Sequence, residues 1–301
     1  MDATSEGEFM EEDAYASFMA SKPFTFLVGP EKKAFAIHSA LVAGQSKVLE
    51  KLVLGDMQEA REGSVVWEHV DEQTFIRFSQ YAYMGIYRYP SFRPRAPRVA
   101  DFGDAWGNDR PEDRTGMIES RRHRTRKVKK KVRPQIVHSW HTGLIEPESE
   151  SESESERTNK GKELWTAFEK KLSSTEPYMA MKQASPLGDG EESNAELLLC
   201  HARLYVFAEC YDIRKLMHLS LCTLHHVLVK VPESDEMTSM AVKLLQYCYA
   251  NDTPDALRDL AVEYTACRVE HLSKREEFQE LVKVHGDFSV ALVNALLSRI
   301  D

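Results

Sequence analysis

Between Phe24 and Tyr87 the hydrophobic period of this 301-residue chain changes several times, which restricts its fold more than any other feature of the sequence. Phe24, Phe26 and Val28 alternate, the pattern of a strand buried on one face. Gly29-Pro30 supplies a turn, and Phe35 and Ile37 then alternate again. Val65, Trp67 and the following Val70-Asp71 predict a third short strand. Ser39 is expected to cap a short helix through Ala40-Leu41-Val42-Ala43, because its hydroxyl can satisfy an orphan backbone donor. A second helix is expected from Lys47 to Leu54, stopped by Gly55. Asp71 caps a third, with Glu72 at the positive end of its dipole and Phe75, Phe78 and Ala82 on one face. The result is a small mixed α+β module without evident catalytic chemistry, suited to presenting a binding surface.

Residues 1–20 read as a flexible N-terminal arm, although Phe9, Met10, Tyr15, Phe18 and Met19 could pack locally. Residues 21–89 hold the module, and from 90 to 194 the character changes. Prolines recur among arginines and the hydrophobic period is lost. Arg121 to Arg133 is a basic block, and Glu146 to Glu156 an acidic tract of alternating Glu and Ser. Neither stretch can bury enough apolar surface to offset its ordering entropy, so this insertion is expected to be largely disordered. A short helix near Leu164-Trp165 to Leu172 is the exception.

Helical periodicity returns at Glu196, where Leu198, Ala202, Tyr205 and Ala208 share a face, as do Met217, Leu221, Leu224 and Leu228 on a second helix. After Pro232 come expected helices through Ala241, Leu245 and Cys248, then Leu257, Leu260, Tyr264 and Cys267 beyond Pro254, and finally Val293, Leu296, Leu297 and Ile300. The organisation is thus 195–231 as a second part of the core and 232–301 as an all-helical extension.

The formal charge of −9 argues against a chain that coats nucleic acid or anionic membrane as a whole. Five cysteines without framework spacing read as free thiols in a reducing compartment. The acidic N-terminus is not a secretory signal, and no apolar run approaches the roughly 20 residues of a membrane-spanning helix. An intracellular protein of nucleus or cytoplasm, making no membrane contact, is expected.

Several of these residues together resemble the BTB/POZ family. Phe35-Ala36-Ile37-His38 with Leu41-Val42-Ala43 and Ser46 is similar to its strand-to-helix step. Gly55-Asp56-Met57-Gln58-Glu59, Gly63, Val65, Trp67 and Val70-Asp71 match the stretch that follows there, and Phe75, Tyr83, Gly85 and Tyr87 its helix ending. Leu204 to Ile213 and Leu216 resemble the next two helices, and the tail with His285-Gly286-Asp287-Phe288 is similar to the extension of fungal BTB proteins. The resemblance implies a short sheet packed on a helical cluster, interrupted by a long insertion and followed by a helical extension. It also implies action through protein–protein contacts: self-association as a homodimer, and in many members recruitment of a cullin ubiquitin-ligase scaffold or a corepressor.

Met57 and Glu59 are similar to the family's hydrophobic-x-acidic motif for cullin binding, in which an apolar anchor sits beside a charge. The family's corepressor groove uses an acidic residue before the first core strand and a basic one after the histidine. Pro23 and Ser39 stand at those positions and remove that charged pair. His38 is expected to close a hydrogen bond between strand and helix.

In the insertion, Arg121, Arg122, Arg124, Arg126, Lys127, Lys129, Lys130, Lys131 and Arg133 place nine cations in thirteen residues, which suits an import receptor. No aromatic residues interleave with them, so nucleic acid is not expected as a partner. Ser149, Ser151 and Ser153 each precede an acidic residue by three positions, the pattern of acidophilic kinase sites. Cys222, His225 and His226, with His218 a turn earlier on the face of Cys222, lack the second ligand pair of a zinc site, so no metal is expected. No phosphate loop, nucleophile elbow or zincin motif occurs, and neither an enzyme nor a cofactor is expected. The function expected is that of a non-enzymatic adaptor that brings substrates to a cullin-type ligase. The alternative is a nuclear scaffold or transcription-associated regulator using the basic block.

Overall fold

The computed structural model describes residues 12–92, 150–172 and 194–297. The chain divides into two units, residues 1–94 with 153–301, and residues 95–152. The first is a mixed α+β body: a three-stranded sheet and a larger set of helices.

Strand β1 (Pro23–Val28) is central, with β2 (Lys33–His38) antiparallel on one side and β3 (Ser64–Trp67) parallel on the other. Pro23 opens β1, where its missing N–H costs no ladder bond. Along β1 the expected alternation buries Phe24, Phe26 and Val28. The third strand stops at Trp67; Val70 lies in the turn beyond it, its N–H on the Trp67 carbonyl, and Asp71 serves the following helix.

The segment expected to be an arm contains helix α1 (Glu12–Met19), whose Phe18 is buried with the core. Helix α2 (Ser39–Ala43) is not capped by Ser39, which lies inside it and is buried. Ser21 does that work, its hydroxyl accepting from Ala40 N at 3.2 Å while donating to the Phe18 carbonyl at 2.6 Å. Helix α3 (Lys47–Leu54) starts on Ser46, whose hydroxyl accepts from Leu49 N, and ends at Gly55. Helix α4 (Gln58–Glu62) follows at once. Helix α5 (Glu72–Met84) begins on Asp71, which accepts from Thr74 N at 2.9 Å, and closes on Gly85 at φ 72°. That left-handed conformation is one glycine adopts without strain.

Helix α6 (Glu150–Lys170) starts well before Leu164 and runs through the Glu-Ser tract that composition assigned to disorder. The sequence favours this helix: carboxylates are stabilising near a helix N-terminus, and a glutamate at 156 four residues before a lysine at 160 is a helix-supporting spacing. The basic block 121–133 and Ser149 lie outside the described residues; Ser151 and Ser153 fall in the first turns of α6.

From Glu196 to Leu297 the chain is helical: α7 (Glu196–Cys210), α8 (Arg214–Lys230), α9 (Asp235–Ala250), α10 (Asp255–Leu272), α11 (Glu276–Val284) and α12 (Gly286–Leu297). Two expectations here need correction. Helix α11 was not anticipated, although Phe278 and Leu281 anchor it. On α12 the buried residues are Phe288 and Leu292, whereas Val293 and Leu297 are exposed. Phe288 lies 5.1 Å from Tyr249 and 5.8 Å from Phe278, ring centre to ring centre, and this aromatic contact sets the face.

One aromatic core joins the early and late parts of the chain. Phe26 packs on Trp67 and Phe75 at 4.7 and 5.1 Å, and Phe207 of α7 meets Trp67 at 5.6 Å and Phe78 at 5.0 Å. Among the described residues no helix is long and apolar enough to cross a membrane.

Candidate functional site: an exposed turn and a docked helix

Gly55 creates the turn that displays Met57. A Cβ at Gly55 would lie 2.2 Å from the Lys51 carbonyl oxygen, so only glycine permits the chain to fold back on α3 so closely. Met57 then takes an extended conformation as the residue before α4 and is 47% exposed, with Leu54 58% exposed on the other side of the turn. Glu59 follows in the first turn of α4 and is half-buried. Met57 therefore does not pack on the sheet. It stands as a solvated apolar side chain two residues from a carboxylate.

At the end of β2, His38 Nδ1 lies 2.9 Å from the Tyr83 hydroxyl, tying the strand to α5. Pro23 is exposed at the sheet margin and Ser39 is buried, so neither position offers a charge to a partner.

A second feature is the docking of the helix expected near Leu164 to Leu172, whose packing partners the sequence does not specify. The last two turns of α6 dock against α8 and α10 through Phe168, which is buried, and the half-buried Leu164, Trp165 and Leu172. Phe168 lies 4.8 Å from the His225 ring and 5.9 Å from Tyr264. The Phe168 carbonyl accepts from His225 Nε2 at 2.7 Å, which fixes the proton on that nitrogen. Arg268 sits 3.9 Å above the Trp165 ring, a cation–π contact, and is itself held by Glu233 at 3.0 Å. Glu233 also holds His271 at 2.6 Å, and Lys171 pairs with Glu263 at 2.5 Å. Burial keeps the His225 imidazole below its ordinary pKa and pushes the Tyr264 phenol up to about 12. The signal was present in sequence as apolar residues at 164, 165, 168 and 172, but nothing there identifies what they pack against.

The cluster weighed as a zinc site disperses. His218 and Cys222 stand one turn apart on α8, but His218 is exposed while Cys222 is buried, and His225 is engaged with α6. Among the described residues no group of three His, Cys, Asp or Glu is placed to hold a metal. None of the five cysteines is joined in a disulfide. Burial pushes the Cys248 thiol up to about 12 and raises that of Cys210, beside Glu209, so neither is an activated nucleophile.

Comparison with protein-family models, with curated proteins and with solved structures finds no significant match for this chain.

Proposed function

We propose that this chain is an interaction protein of the BTB/POZ type, with residues 21–89 and 195–231 as its core, and that its activity is binding. The core engages one protein, and the helices beyond Asp235 or the charged insertion hold a second. The specific reading is a substrate adaptor for a cullin-type ubiquitin ligase.

One observation carries it. Met57 is displayed on a turn that Gly55 enforces, with Glu59 immediately beyond at the start of α4. An exposed apolar anchor beside an anion is the arrangement that fills a small pocket while pairing with a basic neighbour. The small sheet and its completion by α7 through Phe207 support the same reading.

The test is a pull-down of the full chain by an immobilised cullin N-terminal domain, comparing wild type with Glu59→Lys and Met57→Arg. Met57 is exposed and Glu59 half-buried, and circular dichroism serves as the control that each variant keeps the fold. Binding weaker by about tenfold or more is expected for each. Undiminished binding by both variants would remove the support for a cullin partner.

A further inference from the structure

We propose that the groove between α8 and α10 is a docking site for an amphipathic helix of a partner protein, and that α6 is its resident, displaceable occupant. The partner helix carries two aromatic residues three positions apart and a lysine three positions after the second. This inference does not depend on the cullin reading.

The occupant shows the chemistry. An aromatic pair anchors the docked face beside Leu164 and Leu172: Phe168 enters the groove, and Trp165 stacks on it at 5.7 Å under the Arg268 guanidinium. Large aromatic anchors closed over by an arginine are the composition of interface hot spots rather than of continuous helix packing. Polar groups at the rim fix direction and register. His225 takes the Phe168 carbonyl in the last turn of the helix, an oxygen that also accepts from the Lys171 amide at 3.2 Å. Glu263 takes the lysine three positions beyond Phe168, and Arg268 covers the aromatic one turn before it. Any helix with this pattern, ending at the same point, meets the same contacts.

Displacement requires no other element to unfold. Helix α6 lies between residues 93–149 and 173–193, so its release interrupts neither the sheet nor the packing of α7 on α8. Its outward face carries Lys162, Glu163, Thr166 and Lys170, all exposed. The long connections make resident and competitor differ only in effective concentration, which a partner of higher intrinsic affinity overcomes.

The test uses the full chain and a fluorescent peptide of residues 160–172 as probe, read by anisotropy. Trp165→Ala with Phe168→Ala empties the groove of its occupant. The emptied chain is expected to bind the peptide at least about tenfold more tightly than wild type. Adding Arg268→Ala to the emptied chain, or replacing the phenylalanine of the peptide by alanine, should weaken binding about tenfold or more. Equal binding by wild type and emptied chain, or indifference to both of these changes, overturns the proposal. Should the double variant fail to fold, hydrogen exchange on wild type decides. Amides of residues 164–170 should exchange well before those of α8 and α10, and exchange only with global unfolding rules out a displaceable helix.

Discussion

Tyr87 and His201, 114 positions apart in the chain, share a buried hydrogen bond of 2.8 Å between the phenol oxygen and Nδ1. The tautomer follows from the neighbours. Thr223 spends its proton on the Leu219 carbonyl at 2.7 Å, so it accepts from Tyr87, and the Tyr87 oxygen must accept the Nδ1 proton of His201. Tyr89 stands edge-on to the same imidazole at 4.8 Å. The segment leaving α5 is thereby fastened to α7 by polarity as well as by packing.

Tyr87→Phe is expected to destabilise the fold by about 1–3 kcal/mol, because it strands a buried donor on His201 while keeping the ring. Urea unfolding of the variant beside wild type measures this, and an unchanged midpoint would contradict the network.

Acid is expected to weaken the same junction. Complete burial, with the Arg77 charge nearby, holds His201 down to about 3 from an ordinary value of 6.5. The unfolded chain therefore binds the proton first as pH falls. Stability from this group is full above pH 6.5 and declines below it, by roughly 2 kcal/mol at pH 5. His225, also lowered by burial, acts in the same direction. Unfolding midpoints at pH 7 and pH 5 test it, and His201→Gln should flatten the dependence.

Two glycines in the same region should respond oppositely to alanine. At Gly55 the added methyl meets the Lys51 carbonyl at 2.2 Å, and a loss of about 1–3 kcal/mol is expected. At Gly44 the nearest atom is 3.5 Å away and φ is −67°, so alanine should be neutral or stabilise by up to about 1 kcal/mol. Thermal melts of the two variants check the contrast.

Asp71→Ala removes a cap that accepts from both the Thr74 amide, at 2.9 Å, and the Thr74 hydroxyl, at 2.6 Å. About 1–2 kcal/mol of stability should be lost. Asp71→Asn, which keeps an acceptor, should recover most of it.

Deleting residues 121–133, a block outside the described residues, should lower the nuclear share of a fluorescent fusion if the nine cations serve import. An unaltered distribution between nucleus and cytoplasm would assign the block another role.

Local structure was legible in sequence wherever one short stretch decides it. Helix α3 runs from Lys47 to Leu54 and stops at Gly55 as its sequence suggests, and Asp71 caps α5, since each of these ends is decided by near neighbours. Reading failed where a distant group intervened. Ser39 resembles a cap, but Ser21, nineteen positions before Ala40, supplies the oxygen. On α12, Val290, Val293 and Leu297 are as apolar as Phe288 and Leu292, so periodicity could not choose the buried face; contact with Tyr249 and Phe278 did. Met57 and Glu59 were identifiable as a pair, whereas the exposure of Met57 depends on the backbone approach at Gly55. The α6 groove was invisible because Phe168, His225 and Tyr264 come from three segments that no spacing rule connects.

The junction of Trp67, Phe78 and Tyr87 with Phe207 and His201 bears on covalent continuity. Every one of these contacts pairs a residue before position 93 with one after position 193. Peptide bonds between the two portions merely raise their local concentration; aromatic packing and a buried imidazole do the holding. A chain nicked between residues 93 and 149 is thus two fragments that complement one another, and they should co-purify as a single folded body.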